Sequence, residues 1–440
     1  MNTGYSHSVG RDKRVRITPL NRQSGVAVMV LLLVLLLAGI SWFLGSLNSN
    51  ARTIQLERSK ITHRAMAQVK DALIGFAAAN RERGYLPCPA NPSMAGTANE
   101  GEAMLSCNSD ALRIGRVPWR SLGIDDLKDG SGESLWYAVS ANFSMDALTI
   151  NSDVSVPTLS VNGATQYVAI IFSPGSALGP QRRGATVSPC ATISGLLRED
   201  YCAANYLDTD PATGISNSDA DTTFTQIRSD TFNDALLTIS HDQFFSTVEK
   251  RVLQQVRACL LRYANASSNK TFPWAHKLDP TSAVDPGDKS FSYPDDVGVR
   301  IGRVPDSLVN SGFSWGGSDC PLSSSCPVSG SCPPNKNWLK DWRELVFYAV
   351  SSEYAPGGAG SGTAGSLTVN ITSSVRAVIF LSGPPFSGPP LSQTRSGLPY
   401  KNSPSNYLEG KNAANYNAIG PFESKPATVL YNDRTLIVAP

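Results

Sequence analysis

Arg113-Ile114-Gly115-Arg116-Val117-Pro118 returns as Arg300-Ile301-Gly302-Arg303-Val304-Pro305, six identities in a row within one chain of 440 residues. Self-similarity of this kind marks a structural unit that has been duplicated. More pairs follow in the same order. Tyr137-Ala138-Val139-Ser140 matches Tyr348-Ala349-Val350-Ser351, and Leu148-Thr149-Ile150-Asn151 matches Leu367-Thr368-Val369-Asn370. Ala169-Ile170-Ile171-Phe172 matches Ala377-Val378-Ile379-Phe380, Asn205-Tyr206-Leu207-Asp208 matches Asn406-Tyr407-Leu408-Glu409, and Phe232-Asn233-Asp234 matches Tyr431-Asn432-Asp433. Collinear blocks with small changes of offset predict one fold built twice, with loop insertions between the shared parts.

Each copy is expected to open with a helix. In the second, the stripe Phe245, Val248, Val252, Val256, Cys259, Leu260 and Tyr263 predicts a helix over about 242–265, in the place that 66–80 holds in the first. β-Branched and aromatic runs ending at Gly, Pro, Asn or Ser predict strands over 135–140, 167–172 and 236–239, and again over 345–351, 377–381 and 435–438. A helix laid on an antiparallel sheet, twice, is an α+β architecture.

The composition fits a folded, loop-rich chain: 41% hydrophobic and 17% charged, with 36 Gly and 29 Pro. That excludes a disordered or fibrous protein. The formal charge of +2 is unevenly placed, because Arg11, Lys13, Arg14, Arg16 and Arg22 stand against Asp12 alone in the first 25 residues and the remainder is slightly acidic. No nucleic-acid partner is expected from such a body, which lacks a concentrated basic face. From Gln23 to Ala51 no side chain is charged, and Val26–Leu47 (VAVMVLLLVLLLAGISWFLGSL) is long enough to cross a bilayer once, at about 33 Å as a helix. Its basic flank is N-terminal, so the positive-inside rule predicts residues 1–22 in the cytoplasm and the bulk outside. Eight cysteines, an even number, suit that oxidising side.

The helical pattern does not stop at the end of the apolar run. Ile54, Ile61, Ala65, Val69, Leu73 and Phe76 recur at helical spacing, and no proline lies between Leu20 and Leu86. One helix from about residue 24 to Asn80, roughly 85 Å, is predicted. A basic leader ending in Arg22-Gln23-Ser24-Gly25, an apolar half-helix and then an amphipathic half-helix resembles type IV pilins and the pseudopilins of type II secretion. Ala72-Leu73-Ile74-Gly75-Phe76-Ala77-Ala78-Ala79-Asn80, Leu86-Pro87-Cys88-Pro89 and Val117-Pro118-Trp119-Arg120-Ser121-Leu122-Gly123 add a resemblance to large bacterial prepilin-type proteins. The resemblance implies cleavage by a prepilin peptidase between Gly25 and Val26, N-methylation of Val26, and assembly with other pilins or pseudopilins through the N-terminal helix. It also implies a single-pass protein of the bacterial inner membrane with a periplasmic bulk, or an extracellular one at a filament tip. Where the family carries glutamate, this chain has Val30. A buried carboxylate there is tolerable only when paired with a neighbour's N-terminal amine. Its absence points to a tip or initiation subunit, which has no subunit above it.

The implied organisation is a leader over 1–25, a transmembrane half-helix over 26–47, a stalk and first pilin-like head over 48–240, and a second head over 241–440. No catalytic constellation is expected. Asp208 and Asp234 read as Asn and Asp side chains closing turns rather than as a reacting carboxylate pair. Gly312-Phe313-Ser314-Trp315-Gly316 has the letters of a nucleophile elbow, but no histidine follows it. His7, His63, His241 and His276 offer no pair suited to metal, and Gly357–Gly365 lacks the Lys-Ser/Thr of a phosphate loop. No cofactor is expected. Calcium held by Asp208, Asp210, Asp219 and Asp221, as some pseudopilins hold it in a C-terminal loop, is opposed by a spacing unlike an EF-hand and by the lack of matching acids in the second repeat. The cysteines read as disulfide staples: Cys88–Cys107, Cys190–Cys202, and two bridges among Cys259, Cys320, Cys326 and Cys332 with three pairings open. The competing reading is a membrane-anchored periplasmic binding or adhesion protein that enters no filament.

Overall fold

The computed structural model describes residues 24–79, 84–179, 181, 183, 199–219, 221–282, 284–310 and 338–440, without side chains at 24–25 and 43–51. Residues 1–23 of the predicted leader (1–25) lie outside these. Helix α1 (Ser24–Ala79) is continuous over 56 residues, as the absence of proline and the unbroken periodicity predict. The chain divides into two compact units between Ser59 and Lys60, a division that falls inside α1. In the first unit the described apolar side chains, Val26 to Trp42, are all exposed. Among the described residues no helix is long and apolar enough to cross a membrane; described side chains stop at Trp42, short of the Leu47 end of the apolar run. In the second unit α1 buries Ala65, Met66, Val69, Leu73 and Ala77. This stripe departs from the predicted one only at its edges. Ile61 is 49% exposed and Ala77, one residue on, turns inward where Phe76 was expected.

Two antiparallel four-stranded arrays follow. The first runs β1 (Ile114–Arg116), β2 (Trp136–Val139), β4 (Ala164–Ser173), β6 (Ala235–Ser240) in spatial order, with β3 (Leu159–Val161) on the start of β4 and β5 (Thr223–Phe224) parallel to β3. The second runs β7 (Ile301–Arg303), β8 (Val346–Val350), β11 (Ala377–Leu381), β12 (Arg434–Ala439), accompanied by the hairpin β9 (Leu367–Val369) and β10 (Thr372–Val375). The registers coincide. Gly115 faces Tyr137 as Gly302 faces Tyr348, and Ala169 faces Val139 as Ala377 faces Val350. The duplication read from the sequence is therefore a duplication of strand order and register.

One of the matched blocks was misaligned. The counterpart of Leu367-Thr368-Val369-Asn370 is Leu159-Ser160-Val161-Asn162, not Leu148–Asn151. Asn162 (φ 50) and Asn370 (φ 53) both take the left-handed conformation that turns β3 and β9 back into the next strand, a conformation Asn tolerates better than most residues. Asn151 instead caps a turn, its Oδ1 accepting from the backbone N–H of Asp153 and Val154 at 2.9 Å each.

The repeated Arg-Ile-Gly-Arg-Val-Pro block forms the edge strands β1 and β7, and its glycine is required by a close approach. A Cβ at Gly115 would sit 2.8 Å from Pro89 Cβ, and one at Gly302 would sit 1.9 Å from the carbonyl oxygen of His276. Tyr137 and Tyr348, both fully buried, donate to the carbonyls of Pro87 and Pro273 at 3.1 Å. At the opposite edge a cation from each helix covers strand carbonyls. Lys70 of α1 donates to Thr238 O, and Arg257 donates to Ile437 O and Val438 O, which blunts an edge that would otherwise template pairing.

Helix α2 (His241–Ala266) begins at the capping box of Ser240 and Gln243 and buries the whole predicted stripe, each large apolar side chain contributing about 1.5–3 kcal/mol. It lies against β11 and β12 and also touches β4 and β6. The repeat boundary near residue 240 is thus a topological junction, while Lys60–Pro440 forms a single compact unit. One apolar cluster draws on α1, α2 and both sheets. Across the repeats Tyr85 donates to Asp341 Oδ2 at 2.9 Å, Asn151 donates to Asp341 O at 2.7 Å, and Phe143 meets Phe244 edge-on; Asp341 belongs to the short helix α3 (Trp338–Trp342).

Candidate functional site

The far face of each sheet is roofed by the long connection to its last strand, described over 174–179, 181, 183, 199–219 and 221–234 in the first repeat and over 382–433 in the second. In the first, Trp136 packs on Tyr206 and Phe172 on Phe224; in the second, Phe347 packs on Tyr407 and Phe380 on Phe422. A pair of carboxylates fastens each roof. Asp208 Oδ2 accepts from the N–H groups of Asn233 (2.7 Å) and Asp234 (3.2 Å), while Asp234 Oδ2 accepts from Asp208 N–H and from Asn217 Nδ2, both at 2.9 Å. Glu409 Oε2 accepts from Asn432 and Asp433 N–H at 3.0 Å, while Asp433 Oδ2 accepts from Glu409 N–H and Asn412 Nδ2 at 3.0 Å. Each acid thus binds the backbone of the other's segment. This arrangement clamps the roof to the residues that lead directly into β6 and β12.

Around each clamp stands a second pair of matched residues. Gln181 donates to Asp208 Oδ1 at 2.7 Å and Gln393 to Glu409 Oε1 at 2.8 Å. Arg183 donates to Gln181 Oε1 and Gly175 O and lies over Tyr206, as Arg395 donates to Gln393 Oε1 and Gly383 O and lies over Tyr407. The Arg of the opening motif completes the box, Arg116 over Tyr206 and Arg303 over Tyr407. Sequence reading found the acids and missed the Gln-x-Arg element. Its signal was present in both copies, Gln181 with Arg183 and Gln393 with Arg395, but at unequal distances from the Asn-Tyr-Leu block.

Burial and the adjacent Asp208 carboxylate push Asp234 up to about 7, and burial followed by Glu409 raises Asp433 well above the usual carboxylate range. Both are almost inaccessible, at 2% and 3% exposure. Each is closed off with one oxygen given to a backbone N–H and an Asn side chain, an arrangement that fastens two chain segments together. The turn-closing reading of Asp208 and Asp234 therefore describes their geometry, extended from one turn to a whole roof.

The other calcium candidates do not join them. Asp210 accepts from Ala212 N–H and from the Thr213 hydroxyl, Asp221 accepts from Thr223 N–H, and Asp219 is exposed. Among the described residues the one group of three potential metal ligands close enough to share an ion is Cys88, Cys107 and Asp146, and its two sulfurs are joined to each other. The Cys88–Cys107 bridge is the predicted one, closing 19 residues. Cys202 and Cys259 are also disulfide-bonded; Cys190, Cys320, Cys326 and Cys332, like the Gly312–Gly316 stretch and His7, lie outside the described residues. Gly25 and Val26 sit in the first turn of α1 and Val30 in the second, with Val26 69% and Val30 56% exposed. His63 projects from α1 into solvent, and His241 and His276 stand on different elements.

No family model, no curated protein and no solved structure matches this chain.

Proposed function

We propose that this chain is a structural, non-enzymatic subunit of the minor pilin or pseudopilin kind, placed at the tip or initiation complex of a type IV pilus or type II secretion-like filament. The observation that carries the reading is α1: one unbroken 56-residue helix, exposed and apolar over Val26–Trp42 and buried along one stripe from Ala65 to Ala77. A helix that is apolar all round needs lipid or other helices about it. On this reading Val26–Leu47 is the membrane-spanning half, residues 60–440 are a duplicated periplasmic head, and the partners are the inner membrane, a prepilin peptidase and the N-terminal helices of neighbouring subunits. Val30 supplies no carboxylate to pair with the amine of a subunit above, which favours the end of a filament over its body. The buried carboxylate clamps and the disulfides suit a head exposed outside the cell, where unfolding is not repaired.

Immunogold labelling of filaments from cells that produce the tagged protein tests the placement. Gold at filament ends is the expected outcome. Gold along the shaft removes the tip assignment, and a protein that never co-purifies with filaments favours the anchored binding-protein reading instead.

A further inference from the structure

The two repeats share strand order, register, β-hairpin and clamp, so the places where they differ are the places free to do something else. They differ in the segment that leads into β1 or β7. In the first repeat this segment is stapled by Cys88–Cys107 and filled by Trp119, whose indole lies 2.2 Å from where a Cβ on Gly101 would be. In the second, residues 276–282 and 284–299 fold around a cavity of about 400 Å³, a size within the ordinary range of small-ligand sites.

The walls of this cavity are held rigidly from behind. Arg343, fully buried and paired with Asp306 at 2.6 Å, donates to the carbonyls of Asp288 and Phe291 and lies 4.1 Å from the Tyr293 ring centre. Tyr293 in turn stacks on His276, with centroids 4.4 Å apart and planes 18° from parallel. At the floor Arg303 is only 1% exposed and donates to Glu344 O and Asn402 Oδ1, and Asn402 donates to Asp279 O. Preorganisation of this kind lowers the cost of ordering a ligand.

The chemistry offered inward is acceptor-rich, uncharged in sum and partly apolar. His276 Nδ1 lies 3.1 Å from Pro294 O and 3.0 Å from Asp296 Oδ2, so its proton is held there; burial lowers the imidazole's proton affinity and leaves Nε2 an acceptor. Asp279 gives Oδ1 to Thr281, and Asp296 gives Oδ2 to Lys277 N–H; among the described residues neither second oxygen takes a hydrogen bond. Lys277 and Arg303 balance Asp279 and Asp296, which disfavours a strongly charged guest of either sign. Phe291 and Val297 line the same space while 46% and 72% exposed, an apolar surface open to solvent. A guest that donates many hydrogen bonds, carries no net charge and has an apolar C–H face is a sugar. We propose that this cavity is a binding subsite for a neutral saccharide, one or two rings of a longer glycan.

The test uses the full chain in a detergent without a sugar headgroup, titrated calorimetrically with maltotriose, cellotriose and N-acetylchitotriose, and with trigalacturonate and spermidine as charged probes. Saturable binding of at least one neutral trisaccharide is expected, weakened at least tenfold in both Phe291→Ala and Asp279→Asn at unchanged melting temperature, and unaffected by Leu105→Ala on the first repeat. Both variant side chains reach the surface, so folding is expected to survive, and the melting temperature checks it in each. The proposal is overturned if none of the neutral trisaccharides binds, if binding survives both substitutions, or if only a charged probe binds.

Discussion

Replacing Asp234 by Asn separates the two things its carboxylate does. The amide oxygen retains the two acceptor bonds that Asp234 Oδ2 makes, to Asp208 N–H and Asn217 Nδ2, but the side chain no longer titrates. In the folded chain Asp234 holds its proton up to about pH 7, because it is buried and faces Asp208, with the hydrogen bonds from Asp208 N–H and Asn217, and then Arg183, only partly offsetting them. In the unfolded chain it releases the proton near its ordinary value of 3.8. Between those values the native state binds more protons, so each rise in pH favours unfolding. The stabilisation is complete below pH 3.8 and lost by about pH 7, with a ceiling of about 4 kcal/mol if no other group compensates. Asp234 Oδ1 is buried without a hydrogen-bond partner, so the amide N–H₂ of Asp234→Asn leaves two donors unsatisfied there where the protonated acid leaves one, at a pH-independent cost of about 1–3 kcal/mol. The curves must therefore converge or cross. At pH 4 the variant is the less stable protein, and by pH 8 the difference has closed or reversed. Urea titrations at four pH values, read by tryptophan fluorescence, suit the question because buried Trp136 packs on Tyr206 beside the clamp. Parallel curves, with the variant weaker by the same amount at every pH, would refute the reasoning and show that Asp234 works as an ionised carboxylate.

Gly302→Ala forces its methyl group against the His276 carbonyl and is expected to cost at least 2–3 kcal/mol, more than Gly115→Ala, whose clash is with a proline ring edge; thermal melts of the two variants give the order. Tyr137→Phe and Tyr348→Phe each orphan one buried proline carbonyl and should lose similar amounts, about 1–3 kcal/mol, in denaturant titrations. Removing the Cys88–Cys107 bridge as a double serine variant should lower stability by about 3 kcal/mol, measured without reductant against the parent chain.

What the sequence made legible was the part set by local periodicity and by repetition. All six expected strands form within a few residues of their predicted limits, and both long helices begin and end within one residue of theirs. β1 and β7 were overlooked as strands although they lie in the most conspicuous repeat, because three residues with a central glycine carry no alternation to detect. The Leu148–Asn151 misalignment has a similar origin: Asn serves equally as a left-handed turn residue and as a turn cap, and four letters do not say which. The clamp was half visible. Its acids stood out in both copies, but their burial and their reciprocal backbone bonds depend on segments some 25 residues apart being brought together by the roof. Contacts between the repeats, such as Tyr85 with Asp341, and the cavity beside Tyr293 arise from differences between the copies, which a search for likeness passes over.

The central claim is that this chain is made as a prepilin-type subunit, and intact-mass spectrometry of the protein recovered from membranes with an active prepilin peptidase tests it most directly. The account predicts a chain that begins at Val26, heavier by one methyl group than the unmodified product. A protein that still carries Met1–Gly25 in that strain would contradict it.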